Sequence, residues 1–404
     1  MSAGTGHGAA GPTGDDVRSD LHVEIELADK GGLQIELESR VAALYGHSIR
    51  ESAERVLRAL GVRNARVDID DKGGLPFSIA ARVEAAARRA GVKGKGDPRP
   101  ERTVTRRGPT ERERLRRSRL YLPGNQPKLM INAGLHHPDG IILDLEDSVH
   151  PDEKDAARLI VRNALRSVDF AGAERMVRIN QLPLGFEDLK AVVPEGPDLI
   201  LIPKVEEAGQ VEEADGQIRA VVGKQGDGHP IWIMPILESA LGIENAFAIA
   251  SATDTIVALT IGLEDYTADL GVVKTQQGDE SLYARTRLVN AARGAGIQAI
   301  DSVYGDVGDT EGLMAWARRS RSLGFEGMGC IHPRQIGPIH DAFAPSNEEI
   351  EKALKIVSAF EEAEAAGLGV VRLGTKMIDP PVVLRAQRLV GNARRMGLIP
   401  EEES

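Results

Sequence analysis

Gly140-Ile141-Ile142-Leu143-Asp144-Leu145-Glu146-Asp147-Ser148 is an apolar run that ends abruptly in three carboxylates. Pro151 follows, then Asp152, Glu153, Lys154 and a helix-period stretch, Ala156-Ala157-Arg158-Leu159-Ile160. Proline in a first turn, with acids beside it, begins a helix: the missing N–H has no partner to lose there, and the helix dipole favours anions. The segment is strand, acidic turn, helix. Two readings of the acids stand open. They form a turn facing solvent, or they crowd the end of a buried parallel strand, where like charges destabilise the fold unless cations offset them. The ends of the other strands decide between these readings.

Outward from this stretch, short apolar runs alternate with helix-period segments from Leu120 on, the signature of a parallel sheet with crossover helices. The expected strands are Arg119–Leu122, Gly140–Leu145, Arg175–Ile179, Leu199–Ile202, Ile231–Ile236, Thr255–Thr260, Gln298–Ile300 and Gly329–Ile331. Eight strands in this length predict a (β/α)8 TIM barrel, which takes ~250 residues. A doubly wound open sheet is the alternative; it would need a reversal of strand order, and no Gly-x-Gly-x-x-Gly turn follows the first strand.

Barrel sites lie at the C-terminal ends of the strands. Those ends carry Pro123-Gly124-Asn125, Asp144/Glu146/Asp147, Arg178-Ile179-Asn180, Pro203-Lys204, Glu238, Glu264-Asp265, Asp301 and His332-Pro333. So many polar ends on one rim favour a charged site over a solvated turn. Hard oxygen ligands suit Mg²⁺ or Mn²⁺. No zinc-type His or Cys spacing is present. Arg178 supplies a fixed cation. A metal plus an arginine can hold a hydroxy- or keto-acid and stabilise an enolate, which points to carbon–carbon bond chemistry beside a carbonyl. Lys204 reads as a paired, inert lysine rather than a Schiff-base former, His332 as a hydrogen-bonded rim residue and Cys330 as core.

The first part of the chain reads differently. Residues 1 to about 20 are rich in Gly, Ala, Ser and Asp, and are expected to be disordered. Leu21–Leu27 and Leu33–Glu38 alternate apolar and polar about Lys30-Gly31-Gly32, predicting a hairpin. A helix with Ile49, Ala53, Val56, Leu57 and Leu60 on one face follows. A strand at Ala65–Ile69, a further short strand and a helix from Ala80 to Ala90 close a small α+β domain. Gly91–Arg119 holds eleven Lys/Arg against four acids, broken by Pro98, Pro100, Gly108 and Pro109, and reads as a solvated tether.

The totals agree with a globular enzyme: 404 residues, 42% hydrophobic and 27% charged. A net charge of -11 argues against nucleic-acid or membrane-surface binding, and 3% aromatics against base stacking. Cys330 stands alone, so no intrachain disulfide forms; that fits a reducing, cytoplasmic setting. No apolar run reaches the roughly 18 residues of a membrane span.

From Arg117 onward the chain resembles the citrate lyase beta subunit family, within the malyl-CoA lyase and HpcH/HpaI aldolase superfamily. The matching residues are Arg117-Ser118-Arg119-Leu120-Tyr121-Leu122-Pro123-Gly124-Asn125, Ile142–Asp147, Val177-Arg178-Ile179-Asn180, Pro203-Lys204-Val205-Glu206, Ile236–Gly242, Gly262–Tyr266, Ile331–Ile336 and Met377–Val383. Ile35–Ser39, Gly61-Val62-Arg63 and Asp70-Asp71-Lys72-Gly73 resemble the citrate lyase gamma subunit, an acyl carrier. The resemblance implies this partition: 1–20 a disordered N-terminus, 21–91 a carrier-like domain, 92–116 a basic linker, 117–340 a TIM-barrel lyase, and 341–404 a C-terminal helical extension serving oligomerisation and as an active-site lid.

It also implies roles. Glu238 and Asp265 would ligate Mg²⁺ (or Mn²⁺). Arg178 would bind substrate and stabilise the enolate, with Glu146 and Asp147 holding metal waters and orienting the arginine. Asp379 would reach a neighbouring subunit's site as acid/base, which implies a homotrimer or hexamer. Arg117, Pro123 and Gly124 would help bind substrate. The reaction implied is cleavage of a citryl thioester to oxaloacetate and an acetyl thioester, with a CoA-type thioester as substrate or prosthetic group and an acyl-transferase (alpha-like) subunit as partner. Malyl-CoA, β-methylmalyl-CoA or citramalyl-CoA lyase activity on free CoA thioesters is the alternative, and a non-catalytic assembly subunit the alternative of another class. The sequence departs from the pattern twice. Arg18 stands where the carrier has its prosthetic-group serine, leaving Ser19, one residue on, as the candidate attachment site. Met328 stands where the family has a lysine before Ile-His-Pro.

Overall fold

The computed structural model describes residues 6–105, 110–225, 229–365, 371–373 and 376–400. Residues 1–5 of the N-terminal stretch, Arg106, Arg107, Gly108 and Pro109 of the basic stretch, and 366–370, 374–375 and 401–404 of the C-terminal stretch lie outside the described residues.

The N-terminal sheet contains β1 (His7–Ala10), β2 (Leu21–Leu27), β3 (Leu33–Ser39) and β4 (Ala65–Asp71) in spatial order β1-β2-β4-β3. Helices α1 (Ala42–Ala59) and α2 (Pro76–Arg89) cover its apolar face. The expected hairpin is not formed. β4 lies between β2 and β3, antiparallel to the first and parallel to the second. β4 buries Ala65, Val67, Ile69 and Asp71, while no residue of β3 is fully buried. The strand with the more buried face takes the centre, and alternation alone cannot choose a strand's partner. Nor is the whole stretch before Leu21 disordered: His7–Ala10 pairs with β2 through backbone hydrogen bonds, which need no apolar side chains. Among the described residues of the small domain no strand follows β4. The chain turns on Gly73 and Gly74, whose N–H groups donate to Asp71 Oδ1 at 3.2 and 2.7 Å. It enters α2 directly at Pro76.

Eight parallel strands then close the barrel: β5 (Ser118–Pro123), β6 (Gly140–Asp144), β7 (Glu174–Arg178), β8 (Leu199–Ile202), β9 (Trp232–Leu237), β10 (Ala258–Ile261), β11 (Gln298–Asp301) and β12 (Gly327–Cys330). Each pairs with the next in sequence, and β12 pairs back onto β5. Their continuous apolar runs are explained by two cores. Ile141, Leu143, Val177 and Ile200 face the outer helices. Ile142, Met176, Leu201 and Met234 fill the barrel interior.

The basic stretch is not a solvated tether. It straps the N-terminal end of the barrel. Arg116 donates to buried Glu174 at 2.7 and 2.8 Å, and Arg112 to the carbonyls of Asp254 and Ile256 at 2.6 and 3.1 Å. Arg99 meets buried Glu195 at 2.7 Å. Arginine recurs because each guanidinium can fork onto a carboxylate or reach several carbonyls at once.

The N-terminal sheet is docked on the barrel through α2. Arg82 on α2 ties Asp20 (2.8 and 3.1 Å) to the carbonyl of Asn125 (3.0 Å), just past β5. Glu84 meets Arg162 of the helix Lys154–Ser167 at 2.7 Å. At the other end of the chain, helices Asn347–Ala365 and Pro380–Arg395 pack together around Ile356, Val383 and Val390. Among the described residues no helix is long and apolar enough to cross a membrane.

Candidate active site

Strand register builds the site. β6 and β7 pair so that Asp144 lies opposite Arg178, both at C-terminal strand ends. The two side chains meet as a fork: Arg178 Nε and Nη2 donate to Asp144 Oδ1 and Oδ2 at 2.6 and 2.7 Å. Glu146 takes Arg178 Nη1 at 2.8 Å, and Asp147 stands 4.0 Å away. The Arg178 guanidinium lies 5.2 Å over the Tyr121 ring. Burial alone would lower the Arg178 pKa, but the Asp144 hydrogen bonds and charge raise it above the ordinary arginine value. Burial likewise pushes Asp144 up, and its bonds to Arg178 and Ser148 bring it below the usual carboxylate range. Glu146 ends up raised, chiefly by burial, despite Arg178. Removing Arg178 would leave the buried Asp144 carboxylate without its cation, a loss of about 3–5 kcal/mol.

On the facing side, Glu238 follows β9 and is 5% exposed. Its Oε1 accepts the backbone N–H of Lys204 at 2.8 Å. Lys204 adopts φ +52°, a left-handed backbone rare outside glycine, as it presents that N–H. Its ammonium meanwhile contacts Glu146 (3.0 Å), Asp147 (3.5 Å) and Asp265 (3.9 Å). Burial would lower the Lys204 pKa, but the Glu146 bond and the three acids raise it overall, which favours the protonated, ion-paired amine over an imine-forming one. Gly262, after β10, leaves room for Glu238: a Cβ there would sit 2.3 Å from Glu238 Oε2.

Burial and then the charge of Asp265 push Glu238 up to about 8. Two acids, one lifted by the other, with no guanidinium paired to Glu238 among the described residues, fit a divalent cation. No group of three or more His, Cys, Asp or Glu with metal-ligating spacing occurs among the described residues. Two protein carboxylates, with water and substrate oxygens completing the sphere, are the Mg²⁺ pattern. Asp144, Asp147, Arg178, Glu238 and Asp265 all line one pocket of about 270 Å³. A larger cavity, about 640 Å³, lies elsewhere, between Gly11–Arg18 and Asn125–Lys128. The smaller one gathers Arg178 and the rim carboxylates.

The remaining expected residues separate. Pro123 ends β5 opposite Asp144, and the Gly124 N–H donates to the Asp144 carbonyl at 2.7 Å, so both shape the rim. Arg117 is a correction. It precedes β5, donates to Asp139 at 2.8 and 2.9 Å, and so sits at the N-terminal end of the barrel, away from substrate. Sequence adjacency to the rim motif concealed that one strand's length separates them. Asp379 is exposed at the start of Pro380–Arg395 and does not line the pocket. That helix returns to the N-terminal end of its own barrel, where Arg395 donates to the Glu113 carbonyl at 2.7 Å. Ser19, at φ +53°, does not line the larger cavity, though its neighbours Arg18 and Asp20 do. His332 caps a short turn, its Nδ1 accepting the Arg334 N–H at 3.1 Å. The Cys330 thiol is wholly buried and pushed up to about 12 by that burial.

Sequence reading missed Arg119, Tyr121 and Ser148. The signal for the first two was parity: on a strand, residues 119 and 121 share a face. That face points into the barrel beneath Asp144 and Arg178.

Residues 117–333 match the family described as HpcH/HpaI aldolase/citrate lyase, and residues 13–90 match the malonate decarboxylase delta subunit (MdcD). Over 295 residues the chain is 41% identical to citrate lyase subunit beta of Leuconostoc mesenteroides subsp. cremoris, covering 72% of this chain and 97% of that one. It is 33% identical over 302 residues to the L-malyl-CoA/beta-methylmalyl-CoA lyase of Rhodobacter capsulatus, covering 69% and 95%. Among solved structures, protein CitE of Mycobacterium tuberculosis in complex with magnesium, acetoacetate and coenzyme A superposes with a TM-score of 0.57 at 30% identity, covering 71% of this chain and all of that one.

Proposed function

The chain belongs to the HpcH/HpaI aldolase/citrate lyase family, and from that premise we propose that it cleaves a citryl thioester to oxaloacetate and an acetyl thioester. It is a carbon–carbon lyase of the citrate lyase beta-subunit type. The observation that carries the proposal is the rim itself: a buried arginine fixed by Asp144 and Glu146, facing Glu238 and Asp265, two acids that lack a neutralising guanidinium.

Glu238 and Asp265 would hold Mg²⁺ (or Mn²⁺), which supplies Lewis-acid polarisation of the oxo-acid oxygens. Arg178 carries the next part of the work. In cleavage, the proton of the 3-hydroxyl passes to a base and the hydroxyl oxygen becomes the new carbonyl. The carbon–carbon bond breaks, and its electron pair moves toward the thioester carbonyl. Arg178, locked by its fork to Asp144, offers guanidinium N–H groups to the charge growing on that oxygen without reorganising. Protonation of the departing carbon then gives the acetyl thioester. Asp379 of a neighbouring subunit is the proposed acid/base, in keeping with its exposure and with a homotrimer or hexamer. Glu146 and Asp147 hold Lys204 and the arginine in place.

Arg18 at the carrier position favours one variant of this reading. Without a serine there, free CoA thioesters would serve, as the name of the Rhodobacter capsulatus relative implies for that enzyme. An oxo-acid release assay with citryl-, citramalyl- and malyl-CoA, with and without Mg²⁺, tests the function. Release that needs Mg²⁺ is expected; no release from any of the three would sink the lyase. Intact-mass spectrometry of protein from its native host separates the variants: a prosthetic adduct on Ser19 would establish a carrier, and an unmodified chain active on CoA thioesters would establish free substrates.

A further inference from the structure

Arg119 is 1% exposed and, among the described residues, makes no ion pair with a carboxylate. Its Nη1 reaches only Met234 Sδ, at 3.1 Å. Its Nη2 reaches Thr260 Oγ1 at 2.9 Å and the Asp301 carbonyl at 3.4 Å, and its Nε meets no acceptor. The Asp301 carboxylate is engaged elsewhere, by Arg285, by Ser320 (2.6 Å) and by the Ser302 N–H (2.9 Å). A buried guanidinium without an anion is among the most destabilising groups a core can hold. Burial accordingly lowers its pKa. The other fully buried arginines of the barrel, Arg116 and Arg285, are each paired with a carboxylate, Glu174 and Asp301.

Arg119 also lines the pocket that holds Asp144, Arg178, Glu238 and Asp265. The pocket thus has two guanidinium groups of unlike status. Arg178 is neutralised by its own acids yet keeps N–H groups to offer, whereas Arg119 has no anion at all among the described residues. We propose that Arg119 is a specificity-determining residue that receives the distal carboxylate of a dicarboxylic oxo acid, the group by which a citryl thioester differs from a citramalyl or malyl one. This rests on the lyase reading above and deepens it. A citryl thioester carries –CH2–COO⁻ where a citramalyl thioester has a methyl group and a malyl thioester a hydrogen. The distal carboxylate completes the ion pair that the protein leaves open. A monocarboxylic oxo acid leaves the cation buried and unpaired, and sites built for a polar group discriminate far more strongly than methyl-sized pockets do.

The test compares kcat/KM for citryl-CoA and citramalyl-CoA in the wild type and in Arg119→Met, with Mg²⁺ present. Methionine fills similar apolar volume without the charge. The citryl rate should fall by at least ~100-fold while the citramalyl rate holds or rises. A wild type that favours citryl-CoA and a variant that keeps the preference would overturn the Arg119 assignment and leave the lyase standing. A wild type that favours citramalyl-CoA would overturn this assignment and the citryl reading together, and one that cleaves neither would overturn the lyase itself. Should Arg119→Met fail to fold, inhibition of the unaltered protein decides: oxaloacetate should compete at least ~10-fold more tightly than pyruvate, and equal competition would overturn the proposal.

Discussion

The two ends of the barrel both carry charge, in opposite states. At the N-terminal end the cations close within the protein: Arg116 forks onto Glu174, Arg117 onto Asp139 and Arg175 onto Asp198, while Arg112 meets backbone carbonyls. At the C-terminal end five carboxylates, Asp144, Glu146, Asp147, Glu238 and Asp265, share the two cations Arg178 and Lys204. Both ends are built from carboxylates and basic side chains. They differ in whether the charge closes. A closed set of forks holds strands in register and has nothing left for a ligand. An open set repels itself, and a divalent cation is what would relieve that repulsion.

The comparison breaks most sharply on exchanging one acid at each end. Glu238→Gln should cut cleavage by about 10³-fold or more, as expected for loss of a metal ligand worth several kcal/mol in the transition state. It should also raise the melting temperature of the metal-free protein. A variant with unchanged Mg²⁺ dependence would end the open-set reading. Glu174→Gln should do the reverse. Urea titration should show a loss of about 3 kcal/mol or more, since Arg116 stays buried without its anion, while kcat of the folded fraction holds.

The pH response follows from Glu238. Folded and metal-free, it keeps its proton up to about pH 8; unfolded, it releases it near 4.5. Between these values the folded form binds more protons, so stability of the metal-free protein falls as pH rises from 4.5 to 8. Metal must displace that proton, so Mg²⁺ affinity, measured by calorimetry, should climb ~tenfold per pH unit to about pH 8 and then level. A flat profile would mean that Glu238 is not a ligand. The smallest effect is expected at Asp147, which is half-exposed and stands at the edge of the network. Asp147→Asn should weaken Mg²⁺ binding only about threefold to tenfold, as for a residue behind the ligands. Unchanged affinity would remove it from the metal's surroundings.

The barrel was legible because its strands are buried on both faces and so read as unbroken apolar runs with charged ends. The gathering of Glu238, Asp265 and Arg178 around one pocket was legible for the same reason: a charge directly after such a run has few places to go. Arg117 was misread because a strand's two ends are five residues apart in sequence and on opposite sides of the barrel in space. Arg119 was missed because its place inside the barrel is a matter of parity within a motif usually read as a block. The β2–β3 hairpin failed because pairing is settled by which strand buries most, a property of the assembled sheet. The basic stretch failed because its anions, Glu174, Asp139 and Glu195, lie far along the chain.

The docking of α2 has a consequence for how the molecule melts. Phe77 and Ala81 of α2 belong to the barrel's outer core, and Ala156 of the barrel helix belongs to the core of the small sheet. Cores that exchange members unfold together, so heating should give a single calorimetric transition spanning both. Whatever tightens the barrel then also protects the small sheet from proteolysis. A carrier that ferries cargo between distant partners needs a loose hinge; this small domain is joined to its barrel like a keystone.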